Sequence, residues 1–479
     1  MGTLEHTPTP LWKAILRGDL GQIYRASQDP AVTSGRIYRI AQFTGKQHGK
    51  EYKSRVVNCP PPRLFGIMRQ RADTPSQFIH RAYCRALWRE RRFGGRAKLL
   101  AILLLWPLIF AATSVWATAL NGRAVARQSG KPVPRQIWEQ LIAAWRFGCL
   151  PPWYYIFELF DGQRFARGGE YLHRFETKGG IFRLMRTAQK KKTLPPLRNK
   201  SRFAEKCRAN GLPIAEELFI HKPGESIAGL KLPPRDLFIK PINSNGGSGA
   251  QAWTHVGDGR YLSLLDGESL DERGLLERIR GSKERLIVQG RLVNHDDIRD
   301  LSNGALATVR MMTLLNETGD GEVTHACLRM AIGANRLVDN FHAGGIIAAI
   351  DMKTGEVGPA SDIGLRPDIG WLFRHPDTGA PIAGRILPFW RETVELARHA
   401  HAVFAPHIAI GWDIAITDHG PVIIEGNSAP DVDLVQRAYR GPIGNTRFGE
   451  LLCHHLRSNT GTMALVGNSS ENDFSEAVP

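Results

Sequence analysis

Residues 411–427, GWDIAITDHGPVIIEGN, constrain this chain more tightly than any other stretch. Two apolar runs, 414–417 and 422–424, flank the turn signal Asp418-His419-Gly420, the pattern of a β-hairpin. With the turn centred on His419, Asp413 and Glu425 fall opposite each other, and cross-strand partners have Cβ atoms about 5 Å apart. Asn427, two residues beyond Glu425, projects from the same face. Two carboxylates and an amide so converged are oxygen donors of the kind Mg²⁺ takes, usually shared with substrate phosphates. For an E-x-N taken alone, a polar strand end facing solvent is the competing reading.

What lies upstream favours the metal reading. Residues 200–210, KSRFAEKCRAN, read as a helix stopped by Gly211. Residues 239–256, IKPINSNGGSGAQAWTHV, read as strand, glycine-rich loop, strand. Such a loop lets backbone N–H groups close around phosphate oxygens, with Lys240 at the strand end adding charge, although a plain glycine turn fits too. A dinucleotide fingerprint is excluded because a strand follows where a helix is required, and GKQHGK at 45–50 is one residue short of a P-loop. RLIVQGRLVNHDD at 285–297 reads as a buried strand and polar turn. ATVRMMTLL at 307–315 and VTHACLRMAI at 323–332 read as strands, each interrupted by an arginine, Arg310 and Arg329. A buried arginine needs an anion, and either a protein carboxylate or a phosphate would serve. Asn340 and Gly344-Gly345 sit in a second polar loop, and 390–405 form an amphipathic helix leading to the hairpin. His295, His325 and His342 are candidate bases, against a structural role for each.

The first two hundred residues have a different texture. Net charge is +17, with about +13 on residues 36–98, about +12 on 99–207 and about −8 on the remainder. A basic portion suits anionic lipid, nucleic acid or simply water; no nucleic-acid module accompanies it, so no specific nucleic-acid partner is expected. Residues 99–120, LLAILLLWPLIFAATSVWATAL, are uncharged and follow RERRFGGRAK. Their length suits a membrane span, an interfacial helix or a buried core helix, and Pro107 is tolerated best in lipid. The stretch around 138–147 is amphipathic, and CLPPWYYIFELF after it suits either a headgroup belt or a helical core. The expected divisions are a basic region at 1–95, a hydrophobic helix at 96–121, a helical region and linker at 122–194, a catalytic α+β domain at 195–457 and a disordered tail at 458–479. Scattered cysteines without a C-x-x-C pair fit a reducing cytoplasm, and MGTLEHTPTP has no signal-peptide pattern.

Taken in order, the motifs from about 197 to 456 resemble the ATP-grasp superfamily, whose members join carboxylates to amines or other nucleophiles through acyl phosphates. The resemblance implies two α+β subdomains sandwiching ATP, with ATP and Mg²⁺ as cofactors. By family pattern Lys200 and Lys240 are the paired triphosphate-binding lysines, and Gly246, Gly247, Ser248 and Gly249 form the loop over the phosphates. Residues 288–292, with Gln289 and Leu292, match the segment that receives adenine; its usual glutamate is replaced by Gln289-Gly290-Arg291, leaving Asp296 or Asp297 for the ribose. Arg310, Arg329 and Asn340 match the residues that contact phosphate and substrate, and Asp413, Glu425 and Asn427 match the metal ligands. IVQGRLVNH, TVRMMT and DNFHAGG are similar to the sugar-transfer-associated group, linked to cell-surface polysaccharide synthesis. The expectation is an ATP-dependent ligase at the inner face of the membrane, joining a small-molecule or glycan-linked carboxylate to an amine or hydroxyl acceptor. A phosphotransferase of the same fold and a non-catalytic ATP-binding scaffold are its rivals.

Overall fold

The computed structural model describes residues 44–47, 50–53, 72–89, 93–182, 185–186, 189, 194–197, 199–226, 229–242, 249–333, 345–365 and 370–458. The loop residues Gly246, Gly247, Ser248 and Asn340, together with His342, the lysines at 190–192 and the tail beyond 458, lie outside them. Beyond a short hairpin of β1 (Thr44–Gln47) and β2 (Lys50–Lys53), two antiparallel sheets organise the described residues.

The smaller sheet has the order β3-β8-β4-β5-β6-β7. Its strands are β3 (Glu217–His221), β4 (Leu237–Pro241), β5 (Gln251–His255), β6 (Arg260–Ser263), β7 (Ser269–Asp271) and β8 (Leu286–Gly290). The larger has the order β13-β12-β11-β10-β9-β14-β15. It comprises β9 (Thr308–Leu315), β10 (Gly321–Met330), β11 (Ile346–Ile350), β12 (Val357–Ser361), β13 (Trp371–Leu372), β14 (Ala409–Thr417) and β15 (Gly420–Asn427).

Alternation along the strands of the larger sheet gives it two apolar faces, because successive side chains point opposite ways. Met311, Leu328, Ile346, Ile410 and Trp412 pack together with the amphipathic helix Trp390–Val403. Met312, Leu314, Cys327 and Ile347 point the other way, into a core shared with the N-terminal helices. Those helices are α1 (Pro75–Arg89), α2 (Phe93–Ser129), α3 (Val133–Phe147) and α4 (Pro151–Ile156). Trp153, Tyr154, Tyr155, Ile156 and Phe157 are buried, so the aromatic stretch is core and not a headgroup belt. Fully burying one large apolar side chain contributes about 1.5–3 kcal/mol, so this cluster anchors the helices to the sheet. Helix α2 contains the whole uncharged run and continues through Pro107. The smaller sheet is backed by the helix Glu272–Arg280 through Leu275 and Ile279. Cys84, Cys149, Cys207, Cys327 and Cys453 are buried.

Candidate active site

The β14–β15 hairpin brings Asp413 opposite Glu425 and Gly411 opposite Asn427, by a route that the turn alone does not provide. Thr417 pairs directly with Gly420, so the loop is the two residues Asp418-His419 and not the three expected from sequence. Extended unbroken, that register sets Asp413 against Ile424 and turns Glu425 to the opposite face. A bulge between the Asp413 and Ile414 pairs absorbs one residue and returns Glu425 to the face of Asp413. Gly411 is required on that face: a Cβ there would sit 2.9 Å from Pro430 Cβ and 3.6 Å from Arg310 Cδ.

Sheet order then delivers the arginines. Strand β9 lies between β14 and β10, with Arg310 opposite both Asp413 and Cys327. Arg329 is two residues along β10 from Cys327 and shares that face. Arg310 donates from Nε to Asp413 Oδ1 and from Nη2 to Oδ2 at 2.9 Å, and Arg329 Nη1 donates to Oδ2 at 2.9 Å. The protein carboxylate allowed for both arginines is thus present. Burial pushes Asp413 up, but Arg310 and then Arg329 outweigh it and hold its carboxyl below the usual range. Glu425 goes the other way: the charge of Asp413, then partial desolvation, raises it well above an ordinary glutamate. Its side chain is exposed on the face of the sheet that also carries Asp413 and Asn427.

Two lysines approach this glutamate from different sides, Lys200 from a helix packed on the larger sheet and Lys240 from β4 of the smaller one. Lys200 opens the helix Lys200–Ala209, whose cap is Asn199, the side-chain oxygen accepting from Arg202 N. Its Nζ donates to Pro241 O at 3.2 Å, next to Lys240 at the end of β4. Burial pushes the Lys200 ammonium down, partly offset by Glu425. Burial and then repulsion from Lys200 bring Lys240 down to about 8, against the pull of Glu425. Two desolvated lysines beside a raised carboxyl form a site short of an anion and a cation at once. Gly249, the described end of the glycine loop, has φ +75° and returns over Pro241, whose Cγ a Cβ would meet at 3.0 Å.

The residues expected to receive adenine lie in and just beyond β8 of the smaller sheet. Gln289 lies in β8, flanked by Glu217 of β3 and Phe238 of β4. The N–H groups of Gly290 and Arg291 donate to the carbonyls of Glu216 and Asp236, so Leu292 is the first residue beyond the ladder. The segment is then fastened to the hairpin: His295 N donates to Ile416 O and Asp296 N to Asp418 Oδ1, both at 2.9 Å. The Asp296 carboxylate pairs with Arg299. His295 caps the short helix Asp296–Arg299, accepting from Asp297 N at 3.0 Å. His325 is buried edge-on to Tyr439 at 5.0 Å and pushed down to about 4, so both of these histidines are structural.

The donor set fits a hard divalent cation in part. Glu425, Asn427 and the remaining lone pairs of Asp413 are oxygen donors, and their charge conflict is one a cation relieves. Among the described residues no group of three or more His, Cys, Asp or Glu side chains is gathered for a metal, so a cation held here would draw further oxygen ligands from elsewhere, such as substrate phosphates. Asn427 Oδ1 meanwhile accepts from Ala429 N at 3.0 Å, fixing the loop that follows.

Sequence reading missed what supports this loop. Arg186 Nη1 donates to Ser428 O at 2.9 Å, Arg174 pairs with Asp431 at 3.2 Å, and Trp153 Nε1 donates to Asp433 Oδ2 at 2.8 Å. The helical N-terminal region thus props the loop directly after the candidate metal-binding strand. The unexplained acidic pair Asp431 and Asp433 was the available signal, since buried carboxylates need partners.

Comparison with known proteins agrees with this geometry. Residues 182–446, more than half of the chain, match the model of the family described as sugar-transfer associated ATP-grasp. No curated protein matches. Among solved structures, the D-alanine–D-alanine ligase of Bacillus anthracis is 11% identical with a TM-score of 0.31, the likeness covering 56% of this chain and 69% of that one. An N5-carboxyaminoimidazole ribonucleotide synthetase in complex with ADP is 12% identical, TM-score 0.29, over 52% and 51%. An L-amino acid ligase of Bacillus licheniformis is 13% identical, TM-score 0.28, over 51% and 50%. The assignment rests on the family match, over the same residues that bring two lysines, two arginines and two carboxylates to one cleft: the chain belongs to the sugar-transfer associated ATP-grasp family, and its two antiparallel sheets are the halves of an ATP-grasp fold.

Proposed function

We propose that the protein is an ATP- and Mg²⁺-dependent ligase that activates a carboxylate as an acyl phosphate and passes it to an amine or hydroxyl. The observation that carries this reading is the juxtaposition of opposite charge deficits: Glu425 sits across the hairpin from the arginine-clamped Asp413, and Lys200, tied to Pro241 beside Lys240, lies near enough for both lysines to feel the charge of Glu425. A triphosphate would satisfy the lysines, and Mg²⁺ held by Glu425, Asn427 and Asp413 would supply neutralisation of charge on the transferring phosphoryl group. Arg310 and Arg329 hold Asp413 ionised and fix its orientation, and they place guanidinium charge beside the site where an acyl phosphate would form. Family membership supports a substrate on the sugar-transfer side of metabolism, such as a glycan-linked carboxylate or acceptor used in cell-surface polysaccharide or a related conjugate, with the cytoplasm as the compartment that supplies ATP.

The test is ADP release over pooled carboxylates with hydroxylamine present to trap acyl phosphate as hydroxamate. Hydroxamate is expected with one pool, falling about a hundredfold or more in Glu425→Ala. ADP without hydroxamate would mean direct phosphotransfer. The double clamp on Asp413 favours one second reading, a non-catalytic ATP-binding scaffold; neither product, with ATP still raising the melting temperature, would select it.

A further inference from the structure

Helices α2 and α3 are built with their polarity reversed. The outward stripe of α2 is Leu104, Leu108, Ala111, Ala112, Val115 and Ala119, all exposed, with Leu104 at 82% and Val115 at 71%. The inward side of the same turns carries Thr113, Ser114, Thr118 and Asn121, all buried. Helix α3 repeats the arrangement, with Ile137, Trp138 and Trp145 outside and Gln136, Glu139 and Gln140 inside. An amphipathic helix of a water-facing domain turns its apolar side to the core. These do the opposite.

The inward polar groups are satisfied inside the bundle: Thr113 and Asn121 donate to carbonyls of α2 itself, at Ile109 and Ala117, and the others bond one another. Ser114 Oγ donates to Gln140 Oε1 at 2.8 Å, and Gln140 Nε2 donates to Thr118 Oγ1 at 2.9 Å and to Tyr155 Oη at 3.1 Å. Tyr155 Oη donates to Gln136 Oε1 at 3.0 Å, and Gln136 Nε2 donates to the Gly122 carbonyl at 3.0 Å. Glu139 accepts from Tyr154 Oη and from Lys131, both at 2.8 Å. Hydrogen-bonded polar seams inside and apolar side chains outside are how helices pack in lipid, where no hydrophobic force draws them together. Over Leu104–Ser129 helix α2 has the length and composition of a membrane span, with only 28% of that apolar window buried.

We infer that the outer face of α2 and α3 lies in the hydrocarbon of an anionic lipid bilayer. Charge selects lipid over a protein partner. The stripe ends at the exposed Arg123 and Arg127, and Arg135 and Arg146 flank the tryptophans of α3. The basic segment RERRFGGRAK precedes the apolar run. Arginine and tryptophan bordering an apolar band match the headgroup level of a membrane with acidic lipids. The same helices reach the catalytic hairpin, because α4, packed between them and the larger sheet, contributes Trp153 to the loop after β15.

The experiment floats the full-length protein with vesicles of phosphatidylcholine and phosphatidylglycerol, and separately with phosphatidylcholine alone. Association with the anionic vesicles that resists a high-salt wash and yields to detergent is expected. Leu108→Gln with Val115→Gln should lower partitioning about tenfold or more. Because those changes can disturb folding, a second measurement uses vesicles with brominated acyl chains. The wild-type tryptophan fluorescence should be quenched, and Trp138→Phe with Trp145→Phe should reduce the quenching while binding persists. Folded protein that stays in solution with both vesicle types would overturn the inference. So would salt-reversible binding without quenching, or a lipid-free dimer that the glutamine substitutions separate, in which case a second copy covers the face.

Discussion

Two hairpins in this protein bury polar groups and use them in opposite ways. In β14–β15 the carboxylates of Asp413 and Glu425 are held face to face, with two arginines on one and two desolvated lysines near the other. In the α2–α3 pair, Ser114, Thr118, Gln136 and Gln140 are mostly neutral groups hydrogen-bonded to each other and to Tyr155. The strand hairpin keeps an electrostatic conflict that a ligand can relieve, the property expected of a site. The helix hairpin leaves nothing for a ligand to satisfy, and its polar groups serve packing alone.

Breaking the charged side of this contrast should have the largest effect. Arg310→Met removes the bidentate partner of a buried carboxylate and should cost about 3–5 kcal/mol in denaturant unfolding, because Asp413 is left undercompensated. Asp413→Asn in that background should recover part of the loss. Gln140→Leu tests the neutral side. It strips partners from Ser114, Thr118 and Tyr155 and should cost about 1–3 kcal/mol, while turnover per folded molecule stays at the wild-type level.

The smallest effect is a pH dependence that separates the two kinds of buried group. Lys240 titrates near 8, below the 10.5 of a free lysine, because burial disfavours its charge. ATP affinity should therefore fall as pH rises through about 8, approaching tenfold per unit. Lys240→Arg should flatten that limb, since arginine stays charged. Stability of the ligand-free protein should move the other way. Above about 8 the unfolded chain holds a proton that the folded chain has lost, so the burial penalty is relieved as pH rises towards 10.5. Affinity and stability rising together across this window would disprove the assignment of the titration to Lys240.

Much of the site was legible because it is carried by local pattern. The helix opened by Lys200 and the strand that carries Lys240 near its end are written in short stretches and form where the sequence places them, and Asp413 does meet Glu425 across a hairpin, although through a tighter turn and a bulge. The alternation that left Arg310 and Arg329 inside apolar strands also showed that each needed an anion. The sequence could not say which one. Asp413 lies 103 residues from Arg310 and 84 from Arg329, and only the order β10-β9-β14 makes them neighbours.

By itself, then, the sequence determined which elements form, which of their faces are apolar and which residue types an ATP-grasp cleft would draw upon. Tertiary structure decided three things that periodicity does not encode. It set the bulge that turns Glu425 towards Asp413, since a register shift of one residue exchanges faces without altering the pattern. It gave both arginines to a single aspartate through sheet order. It also turned the apolar sides of α2 and α3 outward, because a hydrophobic stripe records that a face avoids water but not whether protein or lipid covers it.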